Sequence, residues 1–150
     1  LLGVNLEDLK VIEKTIQSVL VQTYKNIEYI IEMPENKEIM IPINVSLFEW
    51  VIENLCKNAV DAMGGNGSIV RHFEKMVDKI VIEVTDNGKG IRKKDIGNVF
   101  KPGFTTKSRG WGLGLSLAKR IVEEYHSGRI FVKYYELGKG TTFRIELKNA

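Results

Sequence analysis

The sequence predicts an α+β sandwich, one mixed sheet with helices packed on one face. Three observations point there. Apolar residues recur at helical spacing in three stretches, alternating runs that suit strands lie between and after them, and the two kinds do not follow strict βαβ order. A chain of 150 residues, 43% hydrophobic and 27% charged, reads as one globular domain. That length can bury roughly 70% of the unfolded surface.

Residues 6–21 carry Leu6, Leu9, Ile12, Ile16, Val19 and Leu20 on one helical stripe. Asn5 stands where a cap belongs, and Glu7 and Asp8 occupy the first turn, where the helix dipole favours acids. Strands are expected over 26–32 and 38–42, around the polar turn Pro34-Glu35-Asn36-Lys37. A second helix starts near Asn44 or Ser46, with Ser46 and Glu49 spaced as a capping box. It runs through Ala62 and stops at Met63-Gly64-Gly65-Asn66-Gly67. Residues 68–74 and 79–85 read as a hairpin pair, the second alternating Ile80, Ile82, Val84 against Val81, Glu83, Thr85. Lys93 to Val99 reads as a short helical turn. Gly112 to His126 has helical periodicity and stops at Ser127-Gly128. Two strands, 129–135 and 141–147, close the domain around Gly138-Lys139-Gly140.

Bulk properties exclude several functions. The net charge of +3 is mild, and no dense basic run or aromatic ladder suits nucleic acid. No apolar run approaches the ~18 residues of a membrane span. The single cysteine, Cys56, excludes an internal disulfide framework and zinc-type spacing, and sits among apolar helix positions as a packing residue. His72 and His126 lack partner patterns for metal or nucleophilic work. His126 closes a helix, where a cation would be favourable.

Four motifs carry chemistry. Asn54 and Asn58 lie four apart, on one face of the second helix. Partly buried carboxamides need partners, and a hydrated magnesium ion with phosphate oxygens would satisfy them. Glu53 and Asp61 flank the pair, either to orient a metal-bound water or as solvated charges. Asp86 ends a strand and is followed by Asn87-Gly88-Lys89-Gly90-Ile91. A carboxylate only accepts hydrogen bonds, so it suits an exocyclic amine such as that of adenine, and the two glycines let backbone approach a flat ligand. Phe100, Pro102 and Phe104 supply apolar anchors for a lid rich in Gly, Thr, Lys and Ser. Gly110, Gly112 and Gly114 open the last helix, where backbone amides form an anion site, with Lys107 and Arg109 just before it. The glycines match neither the dinucleotide fingerprint nor a P-loop.

Together, Glu53 to Ala62, Asp86 to Ile91, Phe100 to Lys107 and Arg109 to Ser116 resemble the N, G1, F and G2 boxes of the ATP-binding catalytic domain of bacterial sensor histidine kinases. The wider superfamily includes topoisomerase, mismatch-repair and chaperone ATPases. The resemblance runs from about Asn5 to Leu147. It implies the Bergerat fold, a two-layer α/β sandwich with a mostly antiparallel sheet, and ATP with Mg2+ held under a lid. It assigns Asp86 to the adenine amino group and Asn58, with Asn54 beside it, to magnesium. It assigns Gly88 and Gly90 to the base pocket, and Gly110, Gly112 and Gly114 to the phosphates. Asp61, Ile91, Phe100, Thr105, Thr106, Lys107, Arg109, Leu113 and Leu115 complete the implied nucleotide site. Asn54, Glu53 and Lys107 are the implied catalytic residues.

The sequence departs from the family twice. A basic residue often follows the second Asn of the first motif by three places. Asp61 stands there, which leaves Lys107 or Arg109 to supply the charge. The phosphoacceptor pattern, His followed by an acid on a dimerisation helix, does not surround His72 or His126. The resemblance thus implies a cytoplasmic catalytic domain cut from its substrate helix, with that helix's domain and a response regulator as partners. It implies no contact with nucleic acid or membrane by this domain, while the parent protein can be anchored in the inner membrane. A hydrolytic ATPase that drives a shape change is the alternative. Members of that type with a Glu base place it four residues before the magnesium Asn. Here Asn54 fills that place, and Glu53 is rotated by about 100° around the helix. A non-catalytic nucleotide-binding module is the third reading.

Overall fold

The computed structural model describes residues 2–35, 39–104 and 113–148. Strand β1 (Leu2–Asn5) leads into helix α1 (Leu6–Thr23), followed by β2 (Asn26–Glu32), β3 (Met40–Ile43) and helix α2 (Val45–Ala62). Strands β4 (Asn66–Lys75) and β5 (Lys79–Asp86) form the expected hairpin. A 3-10 turn (Lys93–Asn98) precedes helix α3 (Gly114–Arg120), which continues into a π turn (Ile121–Tyr125). Strands β6 (Arg129–Glu136) and β7 (Gly140–Lys148) follow.

The main sheet has the order β2-β4-β5-β7-β6, with β2 parallel to β4 and the other pairs antiparallel. A second ladder joins β1 to β3. The strands flanking the 34–37 turn therefore do not pair with each other. Strand β5 turns Ile80, Ile82, Val84 and Asp86 to one face, as the period of two requires. There the core meets Leu9, Ile12, Ile16 and Leu20 of α1 and Phe48, Ile52, Leu55 and Ala59 of α2. The opposite face carries ion pairs, including Lys133 with Glu83 at 3.0 Å and Arg144 with Glu146 at 2.8 Å.

Local chemistry explains the helix ends. The Asn5 side chain accepts the Asp8 amide at 2.8 Å, as expected. For α2 the cap is Asn44, not Ser46: its Oδ1 accepts the Leu47 amide at 3.1 Å and its carbonyl takes the Phe48 amide. Gly64 and Gly65 have φ values of +63° and +80°, which reverse the chain out of α2.

One buried group has no counterpart in the sequence reading. Glu13 of α1 and Arg71 of β4 are both fully buried. Arg71 Nη2 donates to Glu13 Oε2 at 3.1 Å, and its Nη1 donates to the Glu83 carbonyl. Arg71 Nε lies 3.1 Å from Glu13 Oε1 but is not directed at it, so Nη2 makes the hydrogen bond. Tyr29 of β2 donates its hydroxyl to Glu13 Oε1 at 3.0 Å. Burial opposes the Arg71 charge, but Glu13 more than offsets this and holds the guanidinium protonated above its ordinary range. Burial pushes the neighbouring Cys56 thiol up to about 12, in keeping with its packing role.

Candidate functional site

The site is built on α2, with a loop docked at each of two points along it. At the C-terminal point lies the loop after β5. Lys89 donates its amide to the Ala62 carbonyl at 2.9 Å, and Gly138 donates to the Lys89 carbonyl at 2.9 Å. The loop is thus pinned between the end of α2 and the β6–β7 turn. Asp86, 6% exposed, begins this loop. Gly88 donates its amide to Asp86 Oδ1 at 2.9 Å, and the Thr141 amide also reaches the carboxylate. Burial raises the Asp86 pKa above the ordinary aspartate value, and the two amides hold it back.

The glycines of this loop serve the protein's own packing. A Cβ on Gly88 would sit 2.6 Å from the Ala62 carbonyl. Gly90 has φ +76°, and a Cβ there would run into the Glu136 carbonyl. The sequence reading gave these glycines to close approach of a ligand; in the fold, the space a side chain would need at each is taken by backbone. Gly90→Ala should therefore cost at least about 2 kcal/mol, from left-handed strain and the clash. A urea unfolding series would measure it, and a loss under about 0.5 kcal/mol would show that the turn yields freely.

The second point lies eight residues earlier on α2. Gly114, the first residue of α3, packs on the Asn54 side chain so tightly that a Cβ would stand 2.6 Å from its Oδ1. Among the described residues, Asn54 Nδ2 is buried with no hydrogen-bond partner, a costly state for an amide donor. Asn58 and Glu53 are half-buried one turn on and one residue back, and Asp61 is exposed. At 1.5 Å per residue the two docking points stand about 12 Å apart.

Other expected residues divide. Phe100 is partly buried, packed edge-on against Phe143 at 5.9 Å, with the Lys119 ammonium 5.6 Å from its ring centre. Ile91 and Leu115 also pack on the core, whereas Leu113 is 54% exposed. Thr105, Thr106, Lys107, Arg109, Gly110 and Gly112 lie outside the described residues. The sequence reading missed Thr141, which faces Asp86 across the β5–β7 ladder. It also gave no role to Asn87, whose Oδ1 accepts the Ser68 amide at 3.0 Å. Only the register between distant strands brings Thr141 to the site.

Residues 44–150 match the family model described as histidine kinase-, DNA gyrase B- and HSP90-like ATPase. The chain belongs to this ATPase family. Its sequence is 46% identical over 98 residues to the sensor histidine kinase ZraS of Salmonella typhimurium, covering 65% of this chain and 21% of ZraS. It is 32% identical to sporulation kinase D of Bacillus subtilis over 121 residues, covering 81% of this chain and 23% of that one. The chain thus spans about a fifth of the length of these relatives. The catalytic domain of histidine kinase ThkA superposes with a TM-score of 0.84 at 28% identity, covering 99% of this chain and 97% of that one. ThkA has also been solved in complex with the response regulator TrrA, where the match has a TM-score of 0.80 at 28% identity and covers 99% of this chain and 42% of that one. The ATPase-family match takes in α2, the Asp86 loop and α3, and therefore both docking points.

Proposed function

We propose that the chain binds ATP with magnesium and, within a longer histidine kinase, passes the γ-phosphoryl group to a histidine on a separate dimerisation domain. A response regulator would then receive it. The observation that carries this reading is the spacing on α2. The Asp86 loop is docked at Ala62, and α3 is docked at Asn54, about 12 Å away along one rigid helix. A purine nucleoside triphosphate covers that span. Asp86 accepts from the adenine amine at one end, and the carboxamides meet the phosphates at the other.

The residues present fit magnesium as well. Asn54 Nδ2 is buried with no acceptor among the described residues, and an anionic phosphate oxygen would satisfy it. Asn58 supplies the amide oxygen for the ion. Held there, the ion would supply positive charge against the charge that builds on the phosphates during transfer. By motif position, Lys107 and Arg109 supply further positive charge, and Gly110, Gly112 and Gly114 supply backbone amides. Thr105 and Thr106 belong to the lid, and Glu53 orients a metal-bound water.

Titration calorimetry with and without magnesium tests the reading. The unsubstituted chain should bind ATP more tightly with the ion, and Asn58→Ala should abolish that gain. A magnesium effect that persists in the variant would reject the assignment. Adding the parent protein's dimerisation segment should yield acid-labile phosphohistidine. A well-folded pair that hydrolyses ATP but forms none would favour a hydrolytic ATPase.

A further inference from the structure

His126 is 6% exposed and makes two hydrogen bonds. The backbone amide of Asn44 donates to its Nε2 at 3.1 Å, and its Nδ1 lies 3.0 Å from the Ile121 carbonyl. A ring nitrogen that accepts an amide carries no proton, so Nδ1 is the donor to Ile121. The sequence reading gave His126 a structural place at a helix end, and the geometry makes it a link between two elements. The π turn over Ile121–Tyr125 widens the helix and brings His126 back over Ile121. Asn44 is fully engaged as the cap of α2, through its side chain to Leu47 and its carbonyl to Phe48.

This bond completes a pattern. Helices α2 and α3 are tied at two places, by the hydrogen bond of Asn44 to His126 and by the close packing of Gly114 on the Asn54 side chain. Sequence rises from 44 to 54 on α2 while it falls from 126 to 114 across α3, so the pair is antiparallel with its ties about 15 Å apart. Between these points Ala118, Ile121 and Val122 pack on the core, and the two contacts fix the ends. Two ties set both its angle and its axial position, and α3 takes up the chain where the glycine-rich segment ends. The Asp86 end hangs on other contacts, to Ala62 and Thr141.

We propose that His126 is a positioning residue for the phosphate end of the nucleotide site. It holds α3 against the start of α2, which keeps Gly114 seated on Asn54, and it leaves the base end alone. The proposal rests on the nucleotide reading above. It separates from a merely structural role because the two ends of the ligand should respond differently.

The experiment compares Mg-ATP with adenosine by titration calorimetry. His126→Leu should weaken Mg-ATP binding about fivefold or more, the effect of one lost bond and one stranded amide. Adenosine affinity should stay within about twofold. His126→Gln places an amide oxygen where Nε2 stands, so Mg-ATP affinity should largely return. Equal losses for both ligands, or none for either, would overturn the proposal. Linkage gives a test on the unsubstituted chain, which does not depend on how the variants fold. Mg-ATP should slow hydrogen exchange of the Asn44 amide several-fold, and adenosine should not. Unchanged protection with Mg-ATP bound would overturn it. If the unsubstituted chain binds neither ligand, the nucleotide reading fails and this proposal falls with it.

Discussion

Glu13→Ala should lower the stability of the domain by about 3–5 kcal/mol, the cost of leaving a buried partner charge uncompensated. Arg71 stays charged and fully buried, and it loses the acceptor for its Nη2. Tyr29 loses the acceptor for its hydroxyl at the same time. The Arg71 bond to the Glu83 carbonyl remains, so the guanidinium is still fixed in place where it cannot reach water. For a chain of this size the loss corresponds to a fall in Tm on the order of 10 °C. The double replacement Glu13→Leu with Arg71→Met should recover most of it, because removing both charges also removes their desolvation cost. Thermal unfolding of the two variants decides the matter. A Glu13→Ala transition within about 2 °C of the unsubstituted protein would show that water reaches the pair.

Asp86→Asn should weaken ATP binding at least about tenfold while leaving the fold as stable or more so. The two effects have opposite signs for one reason. Burial raises the Asp86 pKa, so the folded state prefers the neutral form. The stability this preference gives is fully present below the unfolded pKa and is lost as pH rises through the raised folded value. At neutral pH the ionised carboxylate therefore costs folding energy, and a carboxamide relieves that cost while keeping an acceptor for the Gly88 amide. Binding runs the other way. The ionised form is the better acceptor for the adenine amine, so ATP affinity should fall as pH drops through the raised value. The Asn variant should lack that step. Calorimetry from neutral pH down to about 4, with thermal melts of both proteins, checks both halves. Unchanged ATP affinity in the variant would remove Asp86 from base recognition.

Much of this architecture was legible because local chemistry and periodicity agree. Asn5 caps α1 as its position suggests, and the alternation of Ile80, Ile82 and Val84 gives both the strand and its buried face. What escaped depends on distance along the chain. Strand β1 has four residues, too few for a pattern, and owes its existence to β3. Glu13 carries no signal in the sequence, because its partner Arg71 stands 58 residues away. Ser46 offers a capping box, but the helix starts earlier, where Asn44 takes the Leu47 amide. At the site, Asp86 stands out by its place at a strand end, whereas Thr141 becomes its neighbour only through the β5–β7 register. That Ala62 and Glu136 also hold Gly88 and Gly90 to glycine escaped, because a sequence does not show which backbone folds over them.

The packing around Gly88 and Gly90 bears on how descendants of such a domain would decay. A lineage that had stopped handling nucleotide would still be held to glycine at these places, and at Gly140 over the Asp86 carbonyl, by its own backbone. Selection for folding would relax first at Asp86, where a neutral side chain is the more comfortable tenant. In surveys of related genomes, the acid would therefore discriminate working copies from relics, and the glycines would merely report that the scaffold survives.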